Sequence, residues 1–236
     1  MGVRTSLAGW RQMGRLVARL PRARAARILS APDGYAVWAP SYHPYPHNKL
    51  MEAEQRIVAP LLRIAAPRRA LDAGTGTGRC LPLLVAAGAR LVVGIDLSMP
   101  MLTRQSGSDR RVCGDACRLP FSDGSFDLVC ASLMVGDVKD IGRWTREAAR
   151  VLAPGGHLVY SDFHPSWVSR RWRRTFRASD GRQYELPYHP HGISDHLGHL
   201  ASSSLRIQAI REPTVEGVSA PVVVVFHAVK PGAPRR

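Results

Sequence analysis

The chain has 236 residues, 45% of them hydrophobic and 22% charged, which is enough length and apolar content for one α/β domain with a substantial core. Its longest apolar runs, such as residues 222–226, fall far short of the roughly 20 residues a membrane span needs. Its four cysteines lack disulfide-framework density and zinc-finger spacing, which suits a reducing, cytoplasmic setting. The formal net charge is +15, yet 30 of the 33 basic residues are Arg beside abundant Ala, Gly and Pro, a GC-rich coding bias rather than a nucleic-acid surface.

Residues 1–32 read as a basic extension with seven Arg and no acid. Trp10, Met13, Leu16, Val17 and Leu20 recur at helical spacing, so a membrane-surface helix, a transit peptide and a plain packing helix all stand as readings. Residues 33–232 are expected to form one domain. Residues 49–64 read as a helix stopped by Pro67. From Arg69 onward, short β-rich runs at 70–73, 91–95, 111–113, 126–131 and 156–161 alternate with helical stretches at 79–87, 100–105 and 140–151. The last stretch carries Ile141, Trp144, Ala148 and Val151 on one face. This alternation predicts a Rossmann-like, doubly wound α/β sheet, mostly parallel, with helices on both faces. A hairpin around Ser179-Asp180-Gly181 marks a lid-like insertion at about 164–192. After a short helix at 194–202, strands at 205–211 and 222–229 have only a loop between them, so an antiparallel pair completes seven strands.

Three strand ends carry the chemistry. Leu71-Asp72-Ala73-Gly74-Thr75-Gly76-Thr77-Gly78 joins the first parallel strand to a helix, where open α/β sheets bind ligands. A dinucleotide fingerprint needs glycine at position 79, which is Arg79, and no Gly-Lys-Ser/Thr phosphate loop follows. A ligand with a cationic group and no phosphate fits better. Gly94-Ile95-Asp96-Leu97-Ser98 sets a carboxylate 20 residues beyond Gly76, the placement that takes both hydroxyls of a ribose. Cys113-Gly114-Asp115-Ala116 supplies a third acid suited to the amino edge of an adenine ring. Together the three point to adenosine.

With Leu119-Pro120-Phe121-Ser122-Asp123-Gly124-Ser125-Phe126-Asp127 and Arg150-Val151-Leu152-Ala153-Pro154-Gly155-Gly156 added, the ordered motifs resemble the class I S-adenosylmethionine-dependent methyltransferases. The similarity is to the small-substrate branch of ubiquinone/menaquinone biosynthesis and natural products. The resemblance implies S-adenosylmethionine as cofactor and a small-molecule acceptor. It further implies that Asp72, Gly74, Thr75, Gly76 and Gly78 hold the methionine end, and that Asp96 takes the ribose. Leu97 would cover the adenine, Asp115 and Ala116 would bind its edge, and Ser132 would sit near the methionine moiety. Tyr35, Trp38 and Tyr42 resemble an aromatic entrance, with core packing as the competing reading.

A sulfonium methyl is already electrophilic, so the protein's task is alignment, with a general base where the acceptor carries a proton. Relatives often place a histidine after the fourth parallel strand. This chain has Leu133-Met134-Val135-Gly136-Asp137 there, leaving Asp137, His43, His47 and His164 as candidates and no assigned base. The cluster His189, His191, His196 and His199 lacks metal-ligand spacing, so no metal is expected. Arg170, Arg171, Arg173, Arg174 and Arg177 in the insertion would favour an acidic acceptor if they faced inward, and would be a solvated face otherwise. An RNA methyltransferase and a non-catalytic cofactor-binding partner are the competing functions.

Overall fold

The computed structural model describes residues 26–104 and 110–232. The helical pattern at 10–20 and the end of the predicted 100–105 helix lie outside the described residues. Strand β1 (Arg27–Ile28) leads into helix α1 (Ala31–Trp38), capped by the Ser30 hydroxyl, which accepts from Asp33 N. Helix α2 (Lys49–Ala65) starts at Asn48, whose side chain accepts from Met51 N at 2.9 Å, and ends at left-handed Ala66. Then follow β2 (Arg69–Ala73), α3 (Leu81–Ala86), β3 (Leu91–Asp96), α4 (Met99–Leu102), β4 (Arg111–Cys113), β5 (Phe126–Ala131), α5 (Ile141–Val151) and β6 (Leu152–Phe163). The chain closes with α6 (Ser166–Ser169), β7 (Thr175–Arg177), β8 (Gln183–Glu185), α7 (Ile193–Ser202), β9 (Arg206–Arg211) and β10 (Val223–Val229).

Seven strands form one sheet in the order β4-β3-β2-β5-β6-β10-β9. The strands β4 to β6 are mutually parallel, and β10 is antiparallel to both its neighbours, as the loop-joined pair predicts. Side chains alternate between faces along each strand, and here both faces are apolar. Leu71, Val129, Ala131, Leu158 and Tyr160 pack with Trp144, Ala148 and Val151 of α5. Ala70, Leu128, Cys130 and Val159 pack against Val58 and Leu62 of α2 and Leu84 of α3. Asp72 sits at an even position beside them, on the α3 side.

Two boundaries differ from the expectation. The helix predicted at 79–87 starts only at Leu81, because tight turns (Gly78 N to Thr75 O, Leu81 N to Gly78 O) carry the glycine loop through Cys80. Strand β6 begins directly at Leu152, running through the Pro154-Gly155-Gly156 stop signal, which hydrogen-bonds to Lys230 on both sides.

A second, three-stranded sheet, β1-β8-β7, holds the hairpin with Gly181 at φ +75° in its turn. Arg27 and Ile28 pair in parallel with Tyr184 and Glu185, tying the end of the basic extension to the insertion. Phe176, Ala178, Tyr184 and Leu186 bury themselves against Leu29, Tyr35, Val37 and Trp38. Gly34 permits that approach, since a Cβ there would collide with Leu186.

Candidate active site

The glycine loop leaves the tip of β2 with Gly74, Gly76 and Gly78 at φ +71°, +53° and +89°, conformations that L side chains rarely adopt. A Cβ at Gly74 would drive into Met134, whereas one at Gly76 would meet nothing within 4 Å. Gly76 is therefore the bare point of approach, and Gly74 is demanded by packing as well as by φ. Neighbouring tips pin the loop: Gly74 N and Thr75 N donate to Ile95 O at 2.8 and 3.0 Å, and Gly76 N donates to Asp96 Oδ2 at 2.8 Å. Ser98 N donates to Asp96 Oδ1 at 2.8 Å, so the carboxylate is held by one backbone donor on each oxygen and keeps further lone pairs for a ligand.

These tips enclose a cavity of about 430 Å³. Asp72, Gly74, Thr75, Gly76, Asp96, Leu97, Asp115, Ala116 and Ser132 all line it, and so do Tyr35, Tyr42 and Asp137. Leu97 stands 63% exposed at the rim, and Asp115 accepts from Cys117 N at 2.7 Å, shaping its own turn. Five expected residues do not line the cavity. Gly78 shapes the loop from behind. Trp38 stacks on Phe176 with centroids 4.4 Å apart and meets Tyr42 edge-on, so it supports the entrance rather than forming it. His43 offers its carbonyl to the Thr77 hydroxyl at 3.2 Å, and His47 leans on Tyr45 O. His164 Nε2 pairs with Glu212 at 2.8 Å while Nδ1 accepts from Ser166 N, so both ring nitrogens are engaged outside the cavity.

Asp72 is 1% exposed, its Oδ2 has no hydrogen-bond partner, and burial raises its pKa to about 7. Across the floor, two residues that the sequence reading missed form a buried network. Arg79 donates to Glu54 at 2.9 Å and to the Ser132 hydroxyl at 2.7 Å, while Glu54 also accepts from the Ser132 and Ser161 hydroxyls. Glu54 sits on α2 at 0% exposure, and only its presence on an otherwise apolar helix face could have flagged it. Arg79 was noticed solely as a missing glycine.

The roof belongs to the insertion. Arg174 reaches in from β7's leading edge and grips both oxygens of Asp137, while Tyr35 OH donates to Asp137 Oδ2 at 2.7 Å. Further Arg174 donors go to the Tyr35 hydroxyl, Leu186 O and Pro187 O. Burial pushes the Tyr35 hydroxyl well above its usual range. Arg174 is thus the inward-facing arginine, but Asp137 consumes its charge. Arg173 turns to Glu185, Arg170 to Ser219 over the Trp172 ring, and Arg177 to Gly181 O. Of the clustered histidines, His191 binds Val138 O and meets His196 edge-on with ring centroids 5.8 Å apart, and His196 is buried between Tyr160 and Asp162.

Comparison with known proteins agrees with this geometry. Residues 71–160 match the family described as "Methyltransferase domain". Demethylmenaquinone methyltransferase of Mycobacterium marinum is 40% identical over 112 residues, 46% of this chain and 47% of that protein. The chain spans about half the length of the curated relatives it matches. Among solved structures, an S-adenosylmethionine-dependent methyltransferase from Mesorhizobium loti has a TM-score of 0.61 at 26% identity, covering 76% of this chain and 99% of that one. The Burkholderia thailandensis 1,6-didemethyltoxoflavin-N1-methyltransferase, solved with its substrate and S-adenosylhomocysteine, has a TM-score of 0.54 at 21% identity, covering 76% and 79%. Strand order, matched segment and structural neighbours converge: residues 71–160 carry a methyltransferase domain, and the chain is similar in fold to S-adenosylmethionine-dependent methyltransferases.

Proposed function

We propose that this protein is an enzyme that transfers the methyl group of S-adenosylmethionine to a small-molecule acceptor. The observation that carries the reading is one cavity bounded at once by the β2, β3 and β4 tips, with Gly76, Asp96 and Asp115 on its wall. The residues present fit the cofactor's two ends. The orphaned Asp72 Oδ2 is a buried acceptor in want of an ammonium group, and the Arg79 guanidinium, although paired with Glu54, lines the cavity with further N–H donors for a carboxylate. Asp96 would take the ribose hydroxyls, and Asp115 with Ala116 the adenine edge. When bound, the cofactor supplies an electrophilic methyl group on a sulfonium. The chain's own work is to orient the acceptor and exclude water, which the Tyr35–Asp137–Arg174 roof does.

Among the described residues no histidine lines the cavity, and Asp137 is engaged on both oxygens. An acceptor that brings its own ionised or carbon nucleophile suits such a site. The relatives named as demethylmenaquinone methyltransferases support a quinol-like ring acceptor. Neither the matched family nor the relatives named above lends support to the RNA alternative. Among the described residues no helix is long and apolar enough to cross a membrane. The four free cysteines support a cytoplasmic location.

Calorimetry tests the cofactor side with a truncated ligand. S-adenosylhomocysteine should bind, and 5′-methylthioadenosine, which lacks the amino-acid end, should bind more weakly. Arg79→Met should erase most of that difference while leaving methylthioadenosine affinity within about threefold. A protein that binds neither ligand, or labelled methyl appearing in total RNA and not in a quinol panel, would sink the reading.

A further inference from the structure

Beneath the glycine loop, three groups able to ligate a metal ion come together. Cys80 precedes α3, and Cys130 lies directly opposite Asp72 in the β2–β5 ladder. All three are buried, at 3%, 0% and 1% exposure respectively. One sulfur from each cysteine and one Asp72 oxygen lie within 4.8 Å of one another. Both thiols are free of disulfides, and the unpartnered Asp72 Oδ2, the acceptor assigned above to an ammonium group, is equally open to a metal cation. Cys80 and Asp72 also line the main cavity, which gives an ion a way in.

Two sulfurs and one carboxylate oxygen are the donors of a thiophilic d¹⁰ cation. Metal–sulfur bonds of about 2.3 Å and metal–oxygen bonds of about 2.0–2.2 Å set such ligands roughly 3.5–3.8 Å apart, inside the span seen here. The soft sulfur pair disfavours Mg²⁺ and Ca²⁺, which require oxygen ligands. We propose that Cys80, Cys130 and Asp72 form a binding site for a thiophilic divalent cation, Zn²⁺ or Cd²⁺, and that its occupancy is incompatible with the cofactor's amino-acid end. The second half of that statement rests on the function proposed above.

The charges balance. Binding displaces the two thiol protons to solvent, and the Asp72 proton as well where the carboxyl carries one, and the two thiolates with one carboxylate leave a net −1 around the ion, beside the Arg79 guanidinium that already acts on Asp72. No electron transfer is involved. Three protein donors leave the fourth position, toward the cavity, for water. Asp72 cannot serve an ammonium group and a metal ion together, so the two ligands compete.

The test uses the full chain carrying Cys113→Ser and Cys117→Ser, which removes the more accessible thiols. Titration with Cd²⁺ should raise an ultraviolet thiolate-to-cadmium absorbance that saturates at one ion per chain. Cys80→Ser and Cys130→Ser, each verified as folded by circular dichroism, should abolish it. Saturating Cd²⁺ should weaken S-adenosylhomocysteine binding at least tenfold, and should no longer do so in Cys130→Ser. A band that survives both replacements, or ligand affinity indifferent to Cd²⁺, overturns the proposal. If S-adenosylhomocysteine fails to bind even without cadmium, the cofactor reading falls, and the absorbance titration alone still decides the ion site.

Discussion

The floor and the roof of one cavity are built by opposite strategies. The floor is backbone geometry, in which three parallel strand tips present bare glycines and short acids within a few residues of each strand end. The roof is long-range side-chain chemistry, with Tyr35 from α1, Asp137 from the turn after β5 and Arg174 from the insertion meeting across sequence separations of 37 to 139 residues. The contrast teaches that ligand capture is local in this fold, while closure over the acceptor is assembled from distant parts. Each half is then expected to fail in its own way when disturbed.

The largest effect is expected in the roof. Arg174→Met leaves Asp137 buried with only the Tyr35 hydroxyl, and removing one partner of a buried ion pair costs about 3–5 kcal/mol. The melting temperature should fall on the order of 10 °C for a domain of this size, while S-adenosylhomocysteine affinity changes less than about threefold. Equal damage to ligand affinity would show that floor and roof are not separable. The floor responds in the reverse pattern. Asp96→Ala removes two prospective ribose contacts and the anchors of Gly76 N and Ser98 N. Charge-assisted bonds worth about 1.5–3 kcal/mol each predict roughly a hundredfold loss of S-adenosylhomocysteine affinity by calorimetry. A change below fivefold would remove Asp96 from the proposed ribose site.

A third expectation sharpens the comparison through pH. Burial raises the Asp72 pKa from 3.8 to about 7, so the folded chain holds this proton more tightly than the unfolded one. The stability from that proton is fully present below about pH 4 and is lost as pH rises toward 7. Ligand binding has the opposite sign, because an ammonium group needs the carboxylate. Affinity for S-adenosylhomocysteine should rise about fivefold between pH 6 and 7, reach about tenfold by pH 8 and level off above it, and Asp72→Asn should flatten the curve. No comparable dependence is expected from the roof.

The same division explains what could be read from residues alone. Asp72, Asp96 and Asp115 announce themselves because each ends a short strand-like run and lies within two residues of a glycine, so spacing along one segment carries the information. The Ile141, Trp144, Ala148 and Val151 face is buried as its helical period predicts. Arg174 gave no such signal, being one of six arginines in a short stretch, and its inward turn depends on Asp137 arriving from 37 residues away. Glu54 was hidden for a related reason. Its charge is satisfied only by Arg79, Ser132 and Ser161, which no local pattern connects. The pairing of Arg27 and Ile28 with β8 was equally illegible, since two residues are too few to show strand periodicity.

The smallest expected effect concerns His164, which the sequence puts on the active rim because it directly follows β6. Its imidazole is turned to Glu212 at 2.8 Å, and that carboxylate is 44% exposed, so the pair is worth at most about 1 kcal/mol. The Nδ1 contact to Ser166 N helps set the first turn of α6, none of whose residues lines the cavity. His164→Ala should therefore leave S-adenosylhomocysteine affinity and methyl-transfer rate within about threefold, and lower the melting temperature by only a few degrees. A rate loss of a hundredfold or more with normal folding would mean that α6 swings His164 into the cavity during turnover. In that event the roof would be a moving part that delivers a base, and the static division between floor and roof would no longer hold.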